Sequence, residues 1–377
     1  MTIKQLFPTQ RPALDLNFAR QKRLDPRVTF TRASIGTYVG SDGLIKTAAS
    51  GEARFDHDPA TGESLGLLIE ESRTNAFSNS TFSSNNKQGT NIVETPNAFM
   101  APDGTMTATR IQADNINYYN SQFPYSSAAG QYTVYSYWVY VNYAFRIRTR
   151  LSGYGVISTK DHIVEPGVWT RIFHRTPVVA DATGLQLQPS IFRDSGSIDV
   201  YVWGFQLENG PFLTSYIPTS GSTVTRSADV ASISGTNFTS WYNQNGGTIF
   251  TSYSGVYHSP WTLGSSQSPR LILGWFDNEV QIYDGTSDTR VVFPGDYPTT
   301  TSTTKEAVGL DSQNLSAARD GSVNTKTHSS VITGLYSYAR LEIGLTSNTS
   351  RRLNGHISRL TYYPVRLPDA TLQALTL

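Results

Sequence analysis

Cysteine is absent from this 377-residue chain, which excludes disulfides, thiolate metal sites and thiol catalysis and leaves the redox compartment open. Charge is also sparse. Only 16% of residues are charged and the formal net charge is +1, so no long-range field would draw in nucleic acid or an anionic membrane. No apolar run reaches the roughly 20 residues that a spanning helix needs. The start, Met1-Thr2-Ile3-Lys4-Gln5, lacks the charged-then-apolar character of a secretory leader. These absences predict a soluble protein made in a cytoplasm, with no nucleic-acid partner, no membrane insertion, and stability drawn from burial or oligomerisation.

What is abundant points to β-structure. The chain has 21 Tyr, 17 Phe and 6 Trp alongside 30 Gly and 18 Pro, a composition that favours short strands joined by tight turns. The expected fold class is all-β: two antiparallel β-sandwich (jelly-roll) domains behind an N-terminal extended and hairpin segment. Boundaries are expected at 1–76 for a wrapping or anchoring segment, 77–224 for a first sandwich and 225–377 for a second. In the first segment, Val28–Thr31 reads as a strand, Ser41-Asp42-Gly43 as a turn and Gly43–Thr47 as the returning strand of a hairpin. In the first sandwich, Tyr132–Tyr143 is aromatic and β-branched on both faces, so it belongs inside a sheet. Ile198–Leu207 alternates with period two behind a Ser-Gly turn. Gly210–Arg226, rich in Pro and Gly, reads as the linker. Seven strand-like pieces follow, and Pro368–Leu375 is the one helix-like stretch, with Pro at its start and acid in its first turn.

Three regions carry a resemblance. Asn354-Gly-His-Ile-Ser-Arg-Leu-Thr-Tyr-Tyr-Pro364 with Val365–Leu375 resembles the closing strand and helix of concanavalin-like (lectin/glucanase) jelly-roll modules common in phage and prophage proteins. Arg32-Ala-Ser-Ile-Gly-Thr-Tyr-Val39, Glu52–Pro59 and Gly66-Leu-Leu-Ile-Glu-Glu-Ser-Arg-Thr-Asn75 resemble the lead segment that precedes such modules. Gly204-Phe-Gln-Leu-Glu-Asn-Gly210 with Ser215–Thr219 is similar to the exit of a carbohydrate-binding-type sandwich. The resemblance implies a virion protein of a phage or gene transfer agent: a head spike, a decoration protein or a tail fibre. Its implied partners are further copies of itself, other virion proteins and bacterial surface polysaccharide. It would assemble in the host cytoplasm and leave by lysis. A polysaccharide depolymerase and a pure capsid cement are the alternatives.

No catalytic constellation is legible. The six histidines are scattered, and neither a nucleophile elbow nor a paired-histidine zinc motif occurs. Glu208, Glu279, Glu306 and Glu342 are available for a glycosidase pair, but the clustered acidic strand of laminarinase-like relatives is missing, so a non-enzyme is expected. Asp56-His57-Asp58 could be a metal or acid–base cluster; a polar turn before Pro59 is the expected reading. Asp277, Asp284 and Asp288 lie in loops where related folds hold Ca²⁺, yet without calcium spacing; no cofactor or metal is expected.

The candidate sugar contacts are of two kinds. Arg146, Arg148 and Arg150 alternate along one strand and so project from one face, either to grip an acidic sugar or a neighbour's carboxylates, or simply as a solvated outer face. Tyr118, Tyr119, Tyr125, Tyr154, Tyr257, Trp261 and Tyr297 lie in loop-like stretches where a ring could stack on a pyranose. Trp138, Trp203, Phe205 and Trp275 lie within strands and read as core.

Overall fold

The structure is a computed structural model that describes residues 10–81, 87–88, 91–113, 119–121, 123–124, 132–153, 156–175, 186–187, 190–191, 197–256, 260–264, 270–273, 279–283, 288–294, 302–327, 338–345 and 352–377. It is all-β, with antiparallel pairing throughout the registers that follow and three short helices among the described residues. No helix is long and apolar enough to cross a membrane. The chain divides into two compact units: Met1–Gly43, Ala48–Ser72 and Ser227–Leu377 form one, Leu44–Thr47 and Arg73–Arg226 the other. Where three segments are expected from sequence, the lead segment is thus shared between two bodies.

The first unit packs an eight-stranded sheet on a seven-stranded sheet. Gly247–Gly255 lies between Thr304–Leu310 and Gly355–Tyr363 in the larger sheet. Lead-segment strands complete both layers. Leu14–Leu16 pairs with the closing strand at Leu360–Tyr362, Ser64–Ile69 pairs with it at Gly355–Ile357, and Thr29–Thr31 pairs with Val230–Ser232. The turn expected at Ser41-Asp42-Gly43 and the strand after it, Ile45–Ala48, are present, but Thr29–Thr31 is not the other arm of that hairpin: its partner lies some two hundred residues away, where Phe30 packs against this unit's core. Leu14, Leu16, Leu67 and Ile69 join Ile249, Tyr253, Trp261, Leu263, Ile357 and Tyr362 in the principal core. Gly66 allows the closest approach: at φ +97°, an added Cβ would lie 2.2 Å from the Ile357 carbonyl oxygen. The helix Asp369–Thr376 covers the far face of the larger sheet, burying Leu372 against Phe250, Ala307 and Ala318.

Charge is locked inside this unit. Asp229, fully buried, takes Arg32 Nη1 at 3.1 Å and Arg54 Nη2 at 2.5 Å, and Arg54 Nη1 reaches Glu70 at 2.8 Å. Asp229 also accepts the Glu70 backbone N–H at 2.9 Å. Glu306 is wholly buried against Arg319, with the Tyr253 hydroxyl donating to it at 2.9 Å. Removing one partner of such a pair strands a charge in a low-dielectric interior, which costs about 3–5 kcal/mol.

The second unit is organised on a five-stranded sheet in the order Thr170–Arg175, Thr133–Val141, Ile198–Asn209, Ala108–Ala113, Ile92–Phe99. The Tyr132–Tyr143 stretch is indeed flanked on both sides. One face of the sheet, with Tyr135, Tyr137, Val139, Val200, Val202 and Phe205, forms the core. A hairpin of Phe145–Gly153 and Val156–Val164 closes over it, contributing the fully buried Ile147 and Val164. Between these layers lies an uncharged polar network. Thr149 Oγ1 donates to the Lys160 carbonyl at 3.2 Å and meets His162 Nε2 at 3.2 Å and His174 Nδ1 at 3.0 Å, while Ser158 Oγ lies 2.8 Å from His174 Nε2. These four contacts are mutually consistent when both rings are neutral, Thr149 accepts from each, and Ser158 donates to His174. Burial, with Lys160 nearby, pushes both imidazoles down to about 4.

Candidate functional site

The site grows from strand alternation. When Tyr135, Tyr137 and Val139 turn to the core, Ser136, Trp138 and Tyr140 turn outward, as do Asp199, Tyr201 and Trp203 on the next strand and Arg110 and Gln112 beyond it. Register sets these residues in rows. Gln112 lies opposite Asp199, Arg110 opposite Tyr201, Tyr201 opposite Tyr140, and Trp203 opposite Trp138. A bulge at Gly204 adjusts the last row: its φ is +68°, and an added Cβ would sit 2.6 Å from the Trp138 ring.

One half of this outer face is closed by the stretch read from sequence as a linker. Tyr216 packs 4.6 Å from Trp203 and 5.5 Å from Trp138 between ring centroids. Buried polar side chains hold the stretch in place. Asn75 donates to the Phe205 and Ile217 carbonyls and accepts from the Phe77 and Leu207 amides, at 2.9–3.1 Å. Gln206 accepts the Ile217 N–H at 2.7 Å, and Glu208 receives the Thr214 hydroxyl and its N–H. Residues 212–219 are therefore part of the unit, fixed because each of these buried groups needs a partner.

The other half stays partly open. Phe99 sits 4.5 Å from Tyr201 and 4.6 Å from Tyr140, and Trp169 lies 5.6 Å from Tyr140 and 6.3 Å from Phe99; all four are half-buried. Beside them, Arg110 grips Asp199 through two parallel bonds, Nε to Oδ1 at 2.8 Å and Nη2 to Oδ2 at 2.7 Å, with the side chains 35% and 24% exposed. The Arg110 guanidinium lies 5.9 Å from the Tyr201 ring centre. Among the described residues, the phenol hydroxyls of Tyr140 and Tyr201 and the carboxamide of Gln112 take no partner. An apolar ring cluster thus adjoins a flat donor–acceptor pair and open hydroxyls, a surface able to hold a ligand with one C–H face and several hydroxyls.

No protein-family model and no curated protein matches this sequence. Solved structures share partial likeness. The CBM40 of the Ruminococcus gnavus IT-sialidase, bound to α2,3-sialyllactose, is 19% identical over 36% of this chain and 83% of its own, with a TM-score of 0.31. The CBM22-1–CBM22-2 tandem of Paenibacillus barcinonensis Xyn10C is 11% identical over 78% of this chain and 95% of its own, at 0.27. The LG4-5 domains of the mouse laminin α1 chain are 10% identical over 75% and 89%, at 0.23.

The sugar contacts expected from sequence fare unevenly. Arg146 and Arg148 do share the outer face of the hairpin, but both turn to Asp161, at 3.3 Å and 2.6 Å. Arg148 is in register with it. Ile163 on the same face is 75% exposed, which marks a solvated surface whose ion pair contributes little. The side chain of Arg150 lies outside the described residues, as do Tyr118, Tyr125, Tyr154, Tyr257, Trp275, Tyr297 and the side chain of Tyr119. Trp261 requires correction: it is no loop platform but a fully buried member of the Trp261–Gly264 strand in the first unit's core, since a large apolar ring in a central strand is best removed from water. Phe205 is a core residue as expected; Trp203 is fully buried as expected, but on the outer face beneath Tyr216, beside the half-buried Trp138. The signal that reading missed is the Tyr-x-Tyr-Trp-x-Tyr pattern itself: rings on both faces of one strand require a second apolar cover or leave a ring surface open.

The other candidates are bound into structure. Asp56 accepts the Val39 N–H at 2.6 Å and pairs with His356 Nε2 at 2.8 Å, and His57 meets the Val39 carbonyl at 3.0 Å. Asp58 caps the turn, accepting from Ala60 and Thr61 at 2.8 and 2.9 Å. Asp288 begins the strand Asp288–Val292 rather than lying in a loop, and Asp277 and Asp284 fall outside the described residues. Of the four glutamates, Glu208 serves Thr214, Glu279 pairs with Arg290, Glu306 with Arg319 and Glu342 with Arg340. Among the described residues, no group of three or more His, Asp or Glu is placed to hold a metal.

Proposed function

We propose that this protein is a non-enzymatic glycan-binding structural protein of a phage-like particle, and that its second unit holds sugar on the open half of its five-stranded sheet. One observation carries the glycan reading: Phe99, Tyr140, Trp169 and Tyr201 adjoin the Arg110–Asp199 pair and two unpartnered phenol hydroxyls on one face. The C–H face of a pyranose packs on such rings, and its hydroxyls exchange hydrogen bonds with the flanking polar groups. Single sites of this size are weak, and repetition across an oligomer would raise their avidity. The particle setting rests on the resemblance of the lead segment and the closing strand and helix to phage modules.

The test is a glycan array probed with the full chain, followed by titration of Tyr201→Ala and Tyr140→Ala. Binding that falls at least tenfold in variants with the unfolding midpoint of the second unit retained supports the reading; binding indifferent to both overturns it. Release of reducing ends from a bound polysaccharide would replace it with the depolymerase. Immuno-electron microscopy of particles from the producing cell tests the setting, and absence of label from particles removes it.

A further inference from the structure

Resting on that reading, we infer that the open face selects neutral sugars bearing two adjacent hydroxyls, with Arg110 and Asp199 as the residues that decide specificity. Arg110 spends Nε and Nη2 on Asp199, leaving Nη1 as an outward donor, while each Asp199 oxygen keeps a lone pair free to accept. The pair is planar and partly exposed, 35% and 24%. It thus presents a donor and an acceptor side by side, matched to two neighbouring hydroxyls of which one accepts and one donates. Tyr201 lies opposite Arg110 in register and beneath its guanidinium, so a ring stacked there brings its hydroxyl edge to the pair.

Charge decides against an acidic ligand. Arg110 and Asp199 sum to zero, and the remaining outward groups of these rows, Gln112, Tyr140 and Tyr201, are neutral. A sugar carboxylate drawn toward Arg110 meets Asp199 at a comparable distance, so attraction and repulsion largely offset. Arg171, the next cation on the face, is already committed: it donates to the Thr214 carbonyl at 2.8 Å and lies 4.3 Å from the Trp138 ring centre. This separates the face from the Arg146–Arg148 hairpin, where two guanidiniums share one carboxylate.

The experiment compares neutral hexose oligosaccharides with uronate- and sialate-bearing ones, using the full chain at low and high salt. Expected are binding of the neutral series, little salt dependence, and a roughly ten- to hundredfold loss in Arg110→Gln, as for a hydrogen bond to a charged group. Asp199→Asn keeps the shape and leaves Arg110 uncompensated, so relative affinity should swing toward acidic glycans. Selective, salt-sensitive binding of acidic glycans that still requires Tyr201 overturns the inference and leaves the glycan-binding reading standing. Failure of every glycan to bind, or binding indifferent to Tyr201, takes down both.

Discussion

The two units solve the same problem, an antiparallel sandwich without disulfides, and both bury charge, the second at Glu208 and Arg226, but they differ in the networks that join their parts. The first uses ion pairs: Asp229 anchors Arg32 and Arg54 and, through Arg54, Glu70, and Glu306 holds Arg319. The second keeps its inter-layer polar atoms neutral, with two imidazoles and two hydroxyls sharing one network. Buried ion pairs clamp distant parts of the chain, since neither partner tolerates the loss of the other. That suits a unit assembled from sequence-distant pieces. The second unit is nearly continuous in sequence and spends its aromatic surplus on an outer face, half closed by its own exit segment and half open.

The contrast can be broken most severely by deletion. A chain starting at residue 77 loses Leu14–Leu16, Thr29–Thr31, Phe55–His57 and Ser64–Ile69 from the sheets of the first unit. That unit should not fold, a loss on the order of the whole 5–15 kcal/mol stability of a domain. Limited proteolysis should then digest residues 227–377 rapidly, and a protease-resistant 227–377 would show the lead strands to be dispensable. Next in size, Asp229→Ala should lower the stability of the first unit by about 3–5 kcal/mol and leave the second unit's transition in place. Chemical denaturation followed by probes in each unit checks this, and equal shifts in both transitions would contradict it.

Acid sharpens the comparison from the other side. In the unfolded chain His162 and His174 take up protons near pH 6.5, whereas in the folded unit they do so only at about 4. Between those values the unfolded state binds more protons, so stability is fully present above pH 6.5 and declines as pH falls toward 4. Unfolding midpoints of the second unit should drop over that window, and His174→Gln should flatten the slope. A slope unchanged in that variant would place its cause elsewhere. Smallest of all, Arg148→Gln should leave the unfolding midpoint of the second unit unchanged within measurement error, because its Asp161 partner is exposed and shared; a clear loss would show the hairpin's outer face to be structural.

Local pattern made much of this legible. The Thr133–Val141 and Ile198–Asn209 strands and the Asp369–Thr376 helix follow from alternation and from a proline-led, acid-bearing first turn. The Asp58 turn was equally readable, since Asp accepts from the amides two and three residues on. The candidate site was not. Tyr201 and Arg110 look like any strand residues until register sets them opposite one another, and Trp261 looks like a loop ring until its neighbours bury it.

The sequence by itself determined the all-β class, the absence of thiol chemistry and the long strands Thr133–Val141 and Ile198–Asn209, because these depend on side-chain identity and on period along one chain. Tertiary structure alone decided that the lead segment completes the first unit's sheets, that residues 212–219 lid half of an aromatic face, and that Arg110, Asp199, Tyr140 and Tyr201 share the other half. Those outcomes rest on pairing between strands far apart in sequence, and the stabilisation from burying a ring or an ion pair exists only once both partners are in place.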